Sequence, residues 1–342
     1  MSIEQNRKSA NSVTVQGRII ETNMKFDKDA TDFFDDNNKG GIVKKELKNP
    51  LMTIAVKRTD GTVATVSVEA FSIMQNRKDK DGKYVENSTF TAMKSIMDLG
   101  TDAKDVPIRI TGTYGENMYL NKDDVLVSIP QINMSYVETN EAKMKHNTDG
   151  TLMEFADGQI SGVIKSISDE LVGGEETGNK LLSVWFVSGV QSKRLNLLDR
   201  IVIDSDLFEE FEFDEGDSVK LDIEVKDVQR GTVQEETTSR RRKADNVGGY
   251  VAHEFHVFNW DDNFDEESTD RRGNKIYISE DDVKELQHER DIRIEAKKKK
   301  SEEKNEPSHH KSIGSRRNTN NDNLGEGGIG DDNPFDEDDP FA

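Results

Sequence analysis

The stretch "STFTAMKSIMDLG" (residues 88–100) is a helical segment inside a region that otherwise alternates like β-strands. Its apolar residues recur at helical spacing and share one face: Phe90, Met93, Ile96 and Met97. Ser88 or Thr89 is the predicted N-cap, and Gly100 is the predicted stop. The segment therefore predicts one amphipathic helix of about three turns, flanked by strands.

The flanking strands lie three before the helix and two after it. They are predicted at residues 12–21, 50–58, 62–72, 106–114 and 125–137. Each is rich in β-branched residues or alternates in polarity; Met52, Ile54 and Val56, for example, share one face. "TDG" (59–61) is a hairpin turn between the second and third strands.

The same order of elements recurs about 145 residues later. Strands are predicted at residues 158–167, 180–189, 190–203, 215–228 and 250–260, with a short helix at 205–211. The second helix occupies the same slot, between the third and fourth strands, with Ser205 as its predicted cap. The repeat favours a duplicated domain over two unrelated β-domains, although a chance likeness stays open at this level.

Five short strands with a helix between the third and fourth resemble the OB fold, a small Greek-key barrel. The predicted fold class is mainly β, with two OB-like five-stranded barrels in tandem at residues 12–145 and 152–262. A helix is predicted at 279–300 and a flexible linker with an acidic tip at 301–342. That helix has a thin apolar face, so we expect it to dock lightly or stand free.

Composition excludes several classes of protein. The 342 residues contain no cysteine, which excludes disulfides, thiolate zinc sites and a cysteine nucleophile. No run of 18 apolar residues occurs, so no membrane span is predicted, and the polar start predicts a cytoplasmic protein. Residues 1–145 carry 21 Lys/Arg and 21 Asp/Glu, whereas residues 146–262 carry 12 and 25. A phosphate-binding face is therefore expected on the first barrel.

Aromatic and cationic residues are interleaved in the loops of the first barrel. The residues predicted to bind single-stranded DNA are Phe33, Phe34, Lys44, Lys45, Lys48, Lys57, Arg58, Arg77, Lys78, Lys83, Tyr84 and Tyr119. Aromatic rings stack on bases and cations meet phosphates, so such mixtures suit single strands. The alternative for each residue is ordinary: the phenylalanines pack over the barrel end and the lysines are solvated.

The second barrel gives weaker signals. Trp185 and Trp260 are predicted to be core residues, and "RRRK" (240–243) is either a phosphate contact or an exposed turn. The barrel is therefore expected to support the first one or to bind protein. "GGEETGNK" (173–180) resembles a phosphate loop but has Asn179 in place of its lysine. His253 and His256 point to opposite faces of a predicted strand, so they are a poor metal site. The sequence shows no nucleophile–base pairing, so no cofactor or enzymatic activity is predicted.

The chain ends in "GDDNPFDEDDPFA" (330–342), two acidic clusters that each run into Pro-Phe. This stretch resembles the C-terminal tip of bacterial and phage single-stranded DNA-binding proteins, although here Ala342 follows the last phenylalanine. The resemblance implies a tip that recruits replication, recombination and repair proteins. Its partner-binding residues would be Asp331, Asp332, Pro334, Phe335, Asp338, Asp339, Pro340 and Phe341.

The sequence thus predicts a non-enzymatic single-stranded DNA-binding protein of phage origin, acting in the host cytoplasm. It would coat single strands and recruit partners through its tail. The main alternative is an acidic two-barrel scaffold in replication or transcription that binds proteins rather than DNA, which the net charge of −21 favours. An RNA-binding regulator and a magnesium-dependent nuclease are further alternatives. Oligomeric state, site size, strand polarity and any DNA contact by the second barrel stay open.

Overall fold

The computed structural model describes residues 8–26, 46–58, 61–79, 81–120, 126–172, 174–188, 194–230 and 250–305. The strands in these ranges are β1 (Asn11–Phe26), β2 (Glu46–Lys57), β3 (Val63–Glu69), β4 (Ser72–Met74), β5 (Asn76–Lys78), β6 (Tyr84–Glu86), β7 (Pro107–Leu120), β8 (Leu126–Glu138), β9 (Phe155–Val172), β10 (Glu175–Ser188), β11 (Arg194–Ile203), β12 (Ser218–Arg230) and β13 (Tyr250–Trp260). The α-helices are α1 (Ser88–Leu99), α2 (Ser205–Phe208) and α3 (Glu280–Asn305).

The first barrel closes through the order β1-β2-β3-β8-β7 and back to β1. Neighbouring strands are antiparallel except at β3 and β8, which run parallel and meet at Glu69 and Asn133. Counting only the barrel strands, this order is first, second, third, fifth, fourth. The order and the position of α1, before the fourth barrel strand, are those of the OB fold.

The second barrel has the same topology. Its strands follow the order β9-β10-β11-β13-β12 and return to β9. The parallel pair is again the third with the fifth strand, where Ile201 meets Phe255 and Val202 meets His256. The predicted fold class, two OB-like barrels followed by a helix, is therefore confirmed.

Matching details in the first strand of each barrel support a duplication. Gly17 and Gly162 lie 145 residues apart, and a Cβ on either would lie about 2 Å from a backbone oxygen of the second barrel strand, that of Ala55 or Trp185. The register with that strand also slips at equivalent points, between Ile19 and Glu21 in β1 and between residues 164 and 166 in β9. Equal constraints at equal spacing favour two copies of one unit.

The barrels are joined through these same first strands. β1 pairs antiparallel with β9 over six residue pairs, from Asn11 with Ile160 to Gln16 with Phe155. Val13 pairs with Gly158, which lies 145 residues later and is its equivalent in the second copy. The pairing is therefore nearly two-fold symmetric, and one continuous sheet runs through both barrels.

Both helices between strands three and four differ in detail from the sequence prediction. α1 buries Phe90, Met93 and Ile96 as predicted, but its N-cap is Asn87, whose side chain accepts a hydrogen bond from the Thr89 N–H. Neither predicted cap, Ser88 or Thr89, fills that role. α2 is a single turn that ends at Phe208, and Asp204 rather than Ser205 precedes it as the cap residue.

The tryptophans pack as core-edge residues, in line with the prediction. Trp260 is partly buried and meets Phe211 edge-on with ring centroids 5.3 Å apart. Trp185 is partly buried between two cations, with Lys165 Nζ 5.0 Å and Arg290 Cζ 5.1 Å from its ring centroid. Trp185 therefore forms part of the surface on which α3 lies.

The expectation that the last helix docks lightly or stands free is wrong. α3 begins with a reciprocal cap, in which Ser279 N–H donates to Asp282 and Asp282 N–H donates to Ser279 Oγ. Val283, Leu286 and Arg290, on one face of α3, are buried. The apolar face is indeed short, but a buried ion pair described below extends the docking by a further turn.

Candidate nucleic-acid interface

OB folds bind oligonucleotides across their second and third strands, helped by the loops after the first and fourth strands. In the first barrel these strands are β2 and β3. We call the end of the barrel at which β1 finishes and β2 begins the arm end. We call the opposite end, at which β2 and β7 finish, the helix end, because α3 contacts the end of β7 there.

A short hairpin of β5 and β6 projects at the arm end, and we call residues 76–86 the arm. Asp79 shapes its turn, because its Oδ1 accepts hydrogen bonds from the N–H groups of Asp81 and Lys83 at 2.9 Å each. Lys78 is exposed, and its Nζ lies 5.5 Å from the centroid of the Tyr84 ring. Arg77, Lys78, Lys83 and Tyr84 are thus brought together on one small, cation-rich element.

Two residues that the sequence reasoning missed lie at the same end. Phe71 is 82% exposed, because it lies in the break between β3 and β4, where the sequence predicted continuous strand. Its backbone oxygen accepts from the Asn49 N–H, which holds it beside Lys48. Lys25 is directly opposite Lys48 across β1 and β2. Lys25 and Lys48 therefore place two cationic side chains opposite each other at the end of the barrel that also carries Phe71.

The other described candidates lie at the helix end. Lys57 is exposed at the end of β2, and Tyr119, near the end of β7, is 43% exposed. Arg58 Nη2 lies 3.3 Å from Glu224 Oε1, so its guanidinium joins the first barrel to β12 of the second. Lys48 and Lys57 are nine residues apart on one strand, or about 30 Å.

The structure therefore places the described members of the twelve predicted residues at two opposite ends of the first barrel and not in one cluster. Lys48 and the four arm residues lie at one end, and Lys57, Arg58 and Tyr119 lie at the other. Phe33, Phe34, Lys44 and Lys45 lie outside the described residues, as do all eight predicted partner-binding residues of the tip. Their roles stay predictions.

The second barrel covers part of β3. Ser67 Oγ donates to Asp227 Oδ2 at 2.7 Å, and the Asp227 side chain is 1% exposed. His253 Nδ1 lies 2.7 Å from the other oxygen of the same carboxylate. The outer face of β3 is consequently closed by β12 near Ser67, whereas Phe71 and the arm are exposed beyond it.

The YorF family model matches residues 9–301, most of the chain. The chain belongs to the YorF family. The matched span of this YorF member includes both barrels and most of α3, and it ends before the acidic Pro-Phe clusters. No curated protein matches the sequence.

The YorF chain also has a likeness to solved structures of a single-stranded DNA-binding protein. The wild-type single-stranded DNA-binding protein from Thermus aquaticus shares 9% identity and a TM-score of 0.40, covering 77% of this chain and 97% of its own. A deletion mutant of that protein shares 10% identity and a TM-score of 0.37, covering 76% and 99%. The likeness is weak by both measures.

Two further features of the YorF chain bear on other site types. Among the residues that the structure describes, no group of three or more His, Cys, Asp or Glu could hold a metal ion. His253 and His256 contact different carboxylates, those of Asp227 and Glu254. In the same described ranges, no helix is long and apolar enough to cross a membrane.

Proposed function

We propose that this protein binds single-stranded DNA without acting as an enzyme, and that the arm end of the first barrel is its primary contact. It would coat strands during replication, recombination or repair in the cytoplasm of a phage host. The acidic Pro-Phe tip would recruit other proteins that act on the same DNA.

The observation that carries the proposal is the composition of the arm end. The exposed Phe71 is joined by its backbone to the part of β2 that carries Lys48, Lys25 lies opposite Lys48 on β1, and the arm adds Lys78 over Tyr84. A single strand offers a base face and a phosphate at every nucleotide, and exposed rings among cations match both. Double-stranded DNA hides its base faces, so the proposal predicts preference for single strands.

The test is fluorescence anisotropy with a labelled oligo-dT strand at low and moderate salt, with duplex DNA as the competitor. Phe71→Ala should cost about 1–3 kcal/mol of binding free energy, the range for a stacked aromatic. The slope of the logarithm of the binding constant against the logarithm of the salt concentration is the salt slope. Lys78→Gln with Lys83→Gln should lower its magnitude by about 0.7 for each phosphate that is no longer neutralised.

The matched control is Lys94→Gln with Lys104→Gln, which removes the same charge from exposed positions on α1 and the turn after it. A chain ending at Gly330 separates the tip from the body, and we expect it to bind DNA more tightly because the acidic tip no longer repels the strand. If the full chain and the shortened chain both fail to bind at low salt, the DNA-binding proposal is wrong. The acidic scaffold that binds proteins then becomes the better explanation of the −21 charge.

A further inference from the structure

α3 changes character along the face that it turns toward the barrels. Val283 and Leu286 are buried apolar residues near its start. One turn on, Arg290 is buried and forms a two-pronged ion pair with Glu116 of β7 at 2.5 and 2.6 Å. Beyond Arg290 the same face carries the half-buried Arg293 and Ile294 and then the exposed Lys297. The helix thus carries cations toward the helix end of the first barrel.

Arg293 lies in surroundings with more positive than negative charge. Its Nη2 donates to the Leu195 oxygen at 3.2 Å, but its Nε is buried without a hydrogen-bond partner. Burial and the nearby guanidinium groups of Arg194 and Arg290 lower the pKa of Arg293. Two carboxylates oppose this effect: Glu116, which is already paired with Arg290, and Glu289. Arg293 therefore lies near two other guanidinium groups, and one of the two carboxylates near it is already paired with Arg290.

The last part of α3 extends this cluster to the β7–β8 hairpin. Lys297 Nζ donates to the Met118 oxygen at 2.5 Å, next to the exposed Tyr119. Lys298 and Lys299 follow and are exposed. Arg194 is exposed at the start of β11 in the second barrel. Cations from α3 and from the second barrel thus lie near the end of β7, the fourth strand of the first barrel.

We propose that Arg194, Arg293, Lys297, Lys298 and Lys299 form a second phosphate-binding surface, for the backbone of a strand long enough to extend beyond the arm end. This inference rests on the proposed function. The ligand is the phosphodiester chain, since the surface combines several cations with one exposed ring. The acidic second barrel then takes part in binding through α3 and β11.

The test compares two labelled oligo-dT strands, one of about 8 nucleotides and one of about 30, chosen from the site sizes of single and multiple OB folds. The variant is Arg194→Gln with Lys298→Gln and Lys299→Gln, which spares Arg293 and Lys297 because they also hold α3. The control is Lys94→Gln with Lys104→Gln and Lys284→Gln, an equal charge change at exposed positions elsewhere.

We expect the variant to bind the long strand at least tenfold more weakly than the control, with a salt slope lower by about 2. Its affinity for the short strand and its thermal midpoint should equal those of the control. Equal long-strand affinity in variant and control overturns the inference, as does an equal loss on both strands. If the wild-type chain binds neither strand, the proposed function itself fails and this inference fails with it.

Discussion

Asp157 lies where the two barrels meet, in β9, with Thr14 of β1 on one side and Glu224 of β12 on the other. Burial raises the pKa of its carboxyl, Asp222 and Glu224 raise it further, and Lys145 opposes the shift. A carboxylate opposite another carboxylate is unfavourable in a sheet. Ionised Asp157 therefore costs the folded protein stability at neutral pH.

We predict that Asp157→Asn stabilises the protein at pH 7. The folded-state pKa is raised above the unfolded value of 3.8, so the penalty begins near that pH and grows as pH rises through the folded pKa. The gain from the substitution should be full at pH 7 and disappear near pH 4. Urea unfolding of both proteins across this range measures it, and Asp81→Asn, at an exposed turn, is the comparison. A gain that is equal at both pH values would show that ionisation is not its cause.

The docking of α3 depends on one carboxylate that joins four elements. Glu116 in β7 accepts hydrogen bonds from Arg290 of α3, from Ser128 Oγ of β8 and from the Leu197 N–H of β11. The side chains of Glu116 and Arg290 are 0% and 7% exposed. Through this carboxylate, α3, which has few apolar contacts, is connected to β7 and β8 of the first barrel and to β11 of the second.

We predict that breaking this pair from either side is severe. Glu116→Leu leaves a buried guanidinium unpaired and should cost about 3–5 kcal/mol of unfolding free energy, as should Arg290→Met for the carboxylate. The double variant Glu116→Leu with Arg290→Met should cost clearly less than the sum, since neither charge is then left alone. Urea denaturation of all four proteins gives the coupling. Costs that add within about 0.5 kcal/mol would mean that the pair is not coupled in the folded chain.

The whole molecule is held together by a strand pairing that resembles the contact between two identical subunits. Val13 and Gly158 are equivalent positions and pair with each other, but they are not the same residue. A Cβ at Gly158 would lie 2.1 Å from the Ser12 oxygen and 2.7 Å from the Val13 Cα. The absence of a side chain at Gly158 therefore allows the close pairing with β1. Two copies of the first barrel would have valine at both positions and could not approach as closely.

We predict that Gly158→Val, which restores the residue of the first copy, disrupts the junction of the barrels. The loss should be about 3 kcal/mol or more, because the clash is with backbone atoms that cannot turn aside. Thermal unfolding should then separate into two steps as each barrel melts alone. Gln159→Val on the same strand is the control, since its side chain is exposed. A single, unshifted transition in Gly158→Val would contradict this account of the junction.

Local patterns were sufficient for the elements and their order. Alternating strands and the apolar spacing of Phe90, Met93 and Ile96 are signals carried by a few neighbouring residues, and their recurrence after about 145 residues led to two OB-like barrels. Cap positions were missed by one residue at both helices. At α1 three adjacent polar residues, Asn87, Ser88 and Thr89, suit the position, and at α2 no side chain forms a cap hydrogen bond.

The sequence predicted only some of the residues of the candidate site. The arm residues are near one another in sequence, so Arg77, Lys78, Lys83 and Tyr84 were predicted together. Phe71 was missed because it was read as part of a strand, and its exposure follows from the break before β4. An aromatic residue at the end of a strand, followed by a lysine- and arginine-rich turn, was the available signal.

The sequence alone determined which segments form strands, where the helices fall between them and that the unit occurs twice, since side-chain pattern and backbone preference act locally. Tertiary structure alone determined that Asn11–Gln16 pairs with residues 155–160, and that Arg290 reaches Glu116 across 174 positions of the chain. Such contacts depend on which strand edges pair and which buried charges form ion pairs in the folded protein. No local pattern encodes that choice, because its free energy is set by desolvation and pairing between residues that are distant in sequence.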